Sequence, residues 1–454
     1  MKLTKDILKS INYGDLQNCP ESFDTAAEID SRKLKKGMIF FALKGEKTDG
    51  HNFVNNTLEK APAFCVVEKN WYKDKSRELQ KSPLWIVENS ETALQKLATK
   101  VREISNIPVL ALTGTNGKTS TRSMITAVLS KKFRILSTIG NMNNHLGLPL
   151  SILRLESNHD FAVLEMGTNH FGEINFLCDI AKPNFGLITN IGRGHTEFLK
   201  NLEGVAKAKE ELFLAIPKEG TVFINDDDKL IKKMNCPSQS RITYGFDATN
   251  PMYKGEILGL DSDGKAKIKI NEQTCIQLNI SGICQSYNAL VAFCIGNYFK
   301  INPIDIKEAL EKYKGVSNRF GITKSRFNII NDTYNANPES TLSAINTLSE
   351  IKTSQKKYFI LGNMLELGSK AAQYHAEMGE AIAKTDIDYF FAYGDLAFHA
   401  TNQATKFGHI NAIHFKTKQE IISLLNQQLN DNDVVLAKGS RGSKMEEILE
   451  GIKE

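Results

Sequence analysis

Early in the chain, short apolar runs at residues 38–43, 64–67 and 84–87 alternate with polar, glycine-containing stretches. That rhythm predicts a small α/β unit ending near residue 88. A helix-like stretch at 91–104 leads to a buried-strand run at 108–112, and comparable runs recur at 161–164, 185–189 and 221–224. Each is separated from the next by enough chain for a crossover helix, which predicts a mostly parallel sheet. Between 241 and 281 apolar positions alternate around a turn-like Asp261-Ser262-Asp263-Gly264, predicting antiparallel strands appended to that sheet. Helices are expected near 286–299 and 303–313. A third βα series starts at 326–331, with strands at 358–361, 389–392 and 434–437 and helices at 377–384 and 420–429. The expectation is an α/β protein of three domains, residues 1–88, 89–314 and 315–454.

Composition agrees with a folded chain: of 454 residues, 41% are hydrophobic and 24% charged. A formal charge of +5 is too small over this length to argue for nucleic-acid binding, though anionic small molecules remain candidates. Seven scattered cysteines without a C-x-x-C pair read as reduced thiols and imply neither a disulfide framework nor a zinc site. The N-terminus lacks an apolar signal core, and no run of about 18 apolar residues occurs, so a cytoplasmic protein without membrane insertion is expected.

The strongest local signal is Thr113-Gly114-Thr115-Asn116-Gly117-Lys118-Thr119-Ser120, between a predicted strand and a predicted helix at 121–129. Gly114 and Gly117 let backbone N–H groups approach phosphate, the helix N-terminus favours negative charge, Lys118 can neutralise phosphates, and Thr119 can offer a hydroxyl to magnesium. The common longer loop would need glycine where this chain has Leu112. The competing reading is a plain glycine turn. Glu165 and His195 fall at or just beyond predicted strand ends, at the edge of the sheet where the loop sits, so a carboxylate and an imidazole could hold a metal there. Alone, a strand-end Glu is more often a solvated or capping residue and a single His more often structural; their common edge with the loop shifts the reading towards function.

The shortened loop resembles that of the Mur ligase family, and other segments match in the same order. Asn141-Met142-Asn143-Asn144-His145 is similar to that family's Asn-rich substrate loop. The stretches 164–167 and 189–195 resemble its metal-binding strand ends, and 208–213 resembles the segment whose lysine, here Lys209, is carbamylated. The stretches 332–338, 361–368 and 438–441 look like the D-alanyl-D-alanine-adding branch, whereas the Asp30-Ser31-Arg32 region is shared with the branch that adds the third amino acid. Two segments depart: Cys284 and Gln285 stand where His-Asn is usual, and Arg193-Gly194-His195-Thr196 replaces the commoner Ala-His-Leu.

The resemblance implies a central P-loop ATPase-like domain, an N-terminal domain for a UDP-linked substrate and a C-terminal Rossmann-like domain. It implies ATP and Mg2+ as cofactors, UDP-N-acetylmuramoyl-tripeptide and D-alanyl-D-alanine as substrates, and a monomer. Lys118, Lys209 and His195 would be catalytic, with Thr119, Glu165, His195 and Lys209 at the metal. ATP would be held by Gly114 to Ser120 together with Asn288, Arg319, Asp332 and Asn335, and substrate by Ser31, Asn143, Asn144, Lys438, Ser440 and Arg441. Domain closure would hinge near 314–317. The rivals are the third-amino-acid-adding Mur ligase, a folate polyglutamate ligase (disfavoured by Thr119, where that branch has glycine) and a silent nucleotide-binding scaffold.

Overall fold

The computed structural model describes residues 1–261, 263–316, 318–324 and 326–452. Ser262 of the expected turn and Ser317 of the expected hinge therefore lie outside the described residues. The strand Val109–Thr113 is buried along its whole length and pairs in parallel with Phe161–Glu165 on one side and Phe185–Ile188 on the other. Burial on both faces is why this run is continuously apolar instead of alternating. It sits near one end of a nine-stranded sheet, and the chain places its next strands first to one side of it and then to the other. The crevice at such a reversal, outside the carboxyl ends of the strands, is where open α/β sheets bind ligands. Leu112, where a longer loop would need glycine, is fully buried in this strand, so the loop begins only after Thr113.

One expectation is corrected here. Ser240–Gly245 is a parallel extension of the sheet, paired with Thr221–Asn225; the antiparallel ladder begins only with Tyr253–Leu260, Lys265–Ile270 and Thr274–Ser281. Ser240–Gly245 is only partly buried, so its sequence alternates like an antiparallel strand although its partner is parallel. The sheet is backed by Lys118–Leu129 and by Cys284–Tyr298, whose residues Asn288 to Gly296 are all buried.

Two further sheets flank this one. Residues 15–87 form a five-stranded sheet whose inner strands are Leu84–Val87, Phe64–Glu68 and Ile39–Phe41, beside a separate pair made by Lys2–Thr4 and Ser22–Asp24. The third sheet runs in the order Gly321–Lys324, Asn328–Asp332, Val434–Lys438, Lys357–Gly362, Tyr389–Tyr393, Ala412–Phe415, and only its first pair is antiparallel. Its two outermost strands, Gly321–Lys324 and Ala412–Phe415, were not expected from sequence. Ala412–Phe415 is a half-exposed edge, which gives little apolar signal. Among the described residues no helix is long and apolar enough to cross a membrane.

Candidate active site

The loop between Val109–Thr113 and Lys118–Leu129 needs its glycines. Gly114 and Gly117 have φ of +149° and +78°, and a Cβ on them would lie 1.9 Å from Thr189 Oγ1 and 2.8 Å from Asn288 Oδ1. The loop is braced by the segment after Phe185–Ile188: Thr115 N donates to Asn190 O, Asn116 N to Asn190 Oδ1, and Gly192 N to Thr115 Oγ1. Lys118 folds back so that Nζ donates to Gly114 O at 2.6 Å and Thr115 O at 3.2 Å. Burial pulls its pKa from 10.5 down to about 8, with Glu165 opposing and Arg319 adding to the shift. Asn288 accepts from Thr121 Oγ1 and donates to Gln285 Oε1, so it braces the loop from the adjoining helix.

The four residues expected at a metal are only partly gathered. Thr119 Oγ1 donates to Glu165 Oε2 at 2.9 Å, Asn143 Nδ2 donates to Glu165 Oε1 at 2.9 Å, and the Arg122 guanidinium lies 3.4 Å from the same carboxylate. His195 lines the same cavity but turns Nδ1 to Glu366, 2.5 Å away, which holds that carboxyl below its usual range. Its Nε2 makes no hydrogen bond among the described residues. Lys209 is 2% exposed and has no hydrogen bond or ion pair among the described residues; burial first, and the charge of Lys118 second, push its pKa well below the ordinary lysine value. Among the described residues no cluster of three or more His, Cys, Asp or Glu is assembled. The set therefore fits a hard cation through the oxygens of Thr119 and Glu165, and Lys209 fits only if it carries an oxygen-bearing group.

The third sheet closes the other side of a cavity of about 880 Å³. Buried Lys438 Nζ donates to Asp332 Oδ2 at 2.5 Å and to Asn335 O at 3.0 Å, while burial pushes the Asp332 carboxyl upward against the pull of Lys438. Arg319 stacks over Tyr334, 4.0 Å from its centroid. Ser440 Oγ accepts from Leu365 N and donates to Ala336 O, and Arg441 reaches the cavity rim while pairing with Glu446. Cys284 also lines the cavity, its thiol pushed up to about 11 by burial.

Of three expected substrate residues, Asn143 and Asn144 line the cavity and Ser31 does not. Asn143 lines the cavity with its amide committed to Glu165. Asn144 uses its side-chain oxygen to accept from Leu146 N and Gly147 N at the start of a helix. Ser31 lies outside the cavity, in the N-terminal sheet unit, with its carbonyl accepting from Lys60 Nζ. Sequence reasoning missed Asn337, Arg193, Glu366 and Arg122. Asn337-Pro338 had a readable signal, an N-cap followed by proline at the first helical position. Asn337 is that cap, and its amide also exchanges two hydrogen bonds with Asn116 of the phosphate loop, at 2.7 and 3.1 Å.

Comparison with known proteins agrees with this geometry. Residues 25–102 match the family model described as Mur ligase family, catalytic domain; 112–296 match the Mur ligase middle domain; and 318–441 match the Mur ligase, glutamate ligase domain. The UDP-N-acetylmuramoyl-tripeptide–D-alanyl-D-alanine ligase of Bacillus subtilis is 35% identical over 94% of this chain and 92% of its own. Among solved structures, MurF from Acinetobacter baumannii superposes with a TM-score of 0.87 at 28% identity, covering 99% of this chain and 98% of that one. The MurF ligase of Thermotoga maritima in complex with ADP gives 0.81 at 25% identity over 94% and 96%. This chain belongs to the Mur ligase family and is an ATP-dependent ligase.

Proposed function

We propose that the protein joins D-alanyl-D-alanine to the terminal carboxylate of UDP-N-acetylmuramoyl-tripeptide through an acyl phosphate, in the cytoplasmic synthesis of peptidoglycan precursors. The observation that carries this reading is the single cavity in which the phosphate loop faces the Asp332–Lys438 pair. Phosphoryl transfer from ATP to a carboxylate crowds several anions together, and fixed cations aimed at the transferring group lower that cost. Lys118, now bonded to two carbonyls of its own loop, releases them to meet phosphate oxygens. Asn143 and Thr119 hold the Glu165 carboxylate in one orientation. Magnesium, held by Thr119, Glu165, His195 and a carbamylated Lys209, would supply charge neutralisation at the phosphates. Lys209 suits that modification because burial favours its neutral amine over the ammonium: the amine attacks carbon dioxide, loses a proton and becomes an anionic oxygen donor. The amine of D-alanyl-D-alanine then attacks the acyl phosphate, phosphate leaves, and no side-chain nucleophile is required.

Residues 1–88 serve as the UDP-substrate domain, 89–314 as the ATP domain and 315–454 as the domain that completes the site. Ser31 belongs to the first, Asn288 to the second, and Arg319, Asp332, Asn335, Lys438, Ser440 and Arg441 to the third, in a chain that works as a monomer. Phosphate release is the test, measured with UDP-tripeptide and D-alanyl-D-alanine, a diamino acid or glutamate as acceptor. Release with D-alanyl-D-alanine alone is expected. Release with a diamino acid on a UDP-dipeptide instead would replace this reading by the third-amino-acid-adding one.

A further inference from the structure

The edge strand Gly321–Lys324 pairs in antiparallel register with Asn328–Asp332, with Gly321 opposite Asn331. The chain beyond that pair stays matched: Tyr334 N donates to Asn318 O at 3.2 Å, and Asn331 Nδ2 donates to Asn318 Oδ1 at 3.2 Å. Arg319 and Tyr334 are thereby set side by side through contacts made wholly within the third unit. Arg319 also lies between two residues with left-handed backbone, Asn318 at φ +60° and Phe320 at φ +55°. Asparagine adopts that conformation readily, but a bulky aromatic residue avoids it. The strain persists because its surroundings hold it: Phe320 is buried, and its N–H donates to the Asp332 carboxylate.

What this strained turn presents is a guanidinium, 4.0 Å from the centroid of the Tyr334 ring. Arg319 and Tyr334 both line the cavity, as does Arg441, which pairs with Glu446. Among the described residues the Arg319 guanidinium makes no hydrogen bond and no ion pair. The nature of its partner decides what it can do next. A carboxylate would hold a guanidinium by filling its N–H fork and cancelling its charge. An aromatic face holds it through the π cloud and leaves the N–H donors and the charge for an anion in the cavity.

We propose that Tyr334 is a positioning residue whose ring holds the Arg319 guanidinium by its face, so that its N–H edge is free for the phosphates of ATP. The inference rests on the cavity being the ATP site of the proposed ligase. It depends neither on the acceptor nor on how the third unit stands relative to the central one, because the register of one pair of strands fixes both residues.

The test is a double-substitution cycle in the full-length protein, read by equilibrium titration with a non-hydrolysable ATP analogue. Tyr334→Leu should weaken binding about tenfold, the scale of a desolvated cation–π contact, and Arg319→Ala by at least as much. Adding Tyr334→Leu to Arg319→Ala should cost nothing further, since the ring acts through the arginine. Tyr334→Phe, which keeps the ring, should recover most of the affinity lost in Tyr334→Leu. Urea unfolding accompanies each variant, and Tyr334→Met repeats the cycle if Tyr334→Leu folds poorly. Parent-like affinity in Tyr334→Leu, a further tenfold loss in the Arg319→Ala background, or equal weakening by leucine and phenylalanine overturns the proposal. Because the nucleotide analogue is titrated without acceptor, failure of D-alanyl-D-alanine to support phosphate release would sink the proposed reaction and leave this result standing.

Discussion

Lys209 is buried and Lys118 partly buried in the same region, and the charge of Lys118 disfavours an ammonium at Lys209. For Lys118 the consequence is a pH dependence. Its pKa falls from 10.5 to about 8 in the folded protein, so between these values the unfolded chain binds more protons than the native one, and stability rises with pH across that window. Phosphates bound beside the ammonium push the pKa back up. At a pH near 9, nucleotide binding should therefore take up a proton, read by calorimetry in buffers of different ionisation enthalpy. Lys118→Met should abolish the uptake and lower turnover by about 10²–10³-fold, the usual worth of a positioned charge at a transition state. Equal uptake in the variant would remove Lys118 from the phosphates. For Lys209, the carbamate reading predicts that Lys209→Ala is nearly inactive and that acetate or formate partly restores it by filling the vacated anion position. The exposed neighbour Lys207 should tolerate alanine. Full activity without Lys209, or equal damage at Lys207, would refute the assignment.

At the scale of elements, the helix Pro338–Glu350 has two functions on the residue that caps it. Asn337 accepts from Ser340 N to cap the helix and exchanges hydrogen bonds with Asn116 across the cavity. The two separate by substitution. Asn337→Ala should lower the unfolding free energy by about 1 kcal/mol through the lost cap. Asn337→Ser keeps a capping oxygen and should melt in urea near the parent while binding ADP more weakly, because serine is too short to reach Asn116. Equal destabilisation by both substitutions would argue against the cap, and parent-like ADP affinity in Asn337→Ser against the bridge. Elements of this kind were legible to different degrees. The strand Val109–Thr113 and the glycine loop after it could be read because every residue that specifies them is local. Ser240–Gly245 was misread because a half-buried strand alternates in the same way whichever direction its partner runs.

For the whole molecule, Ser31 stands apart from the cavity while the nine-stranded sheet and the third sheet share it. This predicts a division of binding. Ser31→Trp should weaken UDP-tripeptide about tenfold, or ~1.4 kcal/mol, and leave ADP affinity at the parent value, both read by equilibrium titration. Parallel loss of both ligands would mean that the N-terminal unit contributes to the nucleotide site. The hydrogen bonds that join the phosphate loop and the segment around Arg193 to the third unit span 146 to 221 residues of chain, as between Arg193 and Glu339 or Asn116 and Asn337. No window on the sequence contains both partners, which is why Asn337, Glu366 and Arg193 were absent from the expected site.

The sequence by itself determined the local things: the apolar strand, the glycines at positive φ, the lysine that opens the helix, and the order of motifs that marks the family. These follow from periodicity and backbone sterics over a few residues. Tertiary structure alone decided that Lys209 is buried and unpaired, that His195 turns to Glu366, that the Asn144 side chain bonds the backbone of Leu146 and Gly147, and that an arginine joins the two units. Burial and electrostatic environment are sums over neighbours brought together by folding, and the same lysine or histidine in the same local sequence would have the opposite chemistry on an open surface.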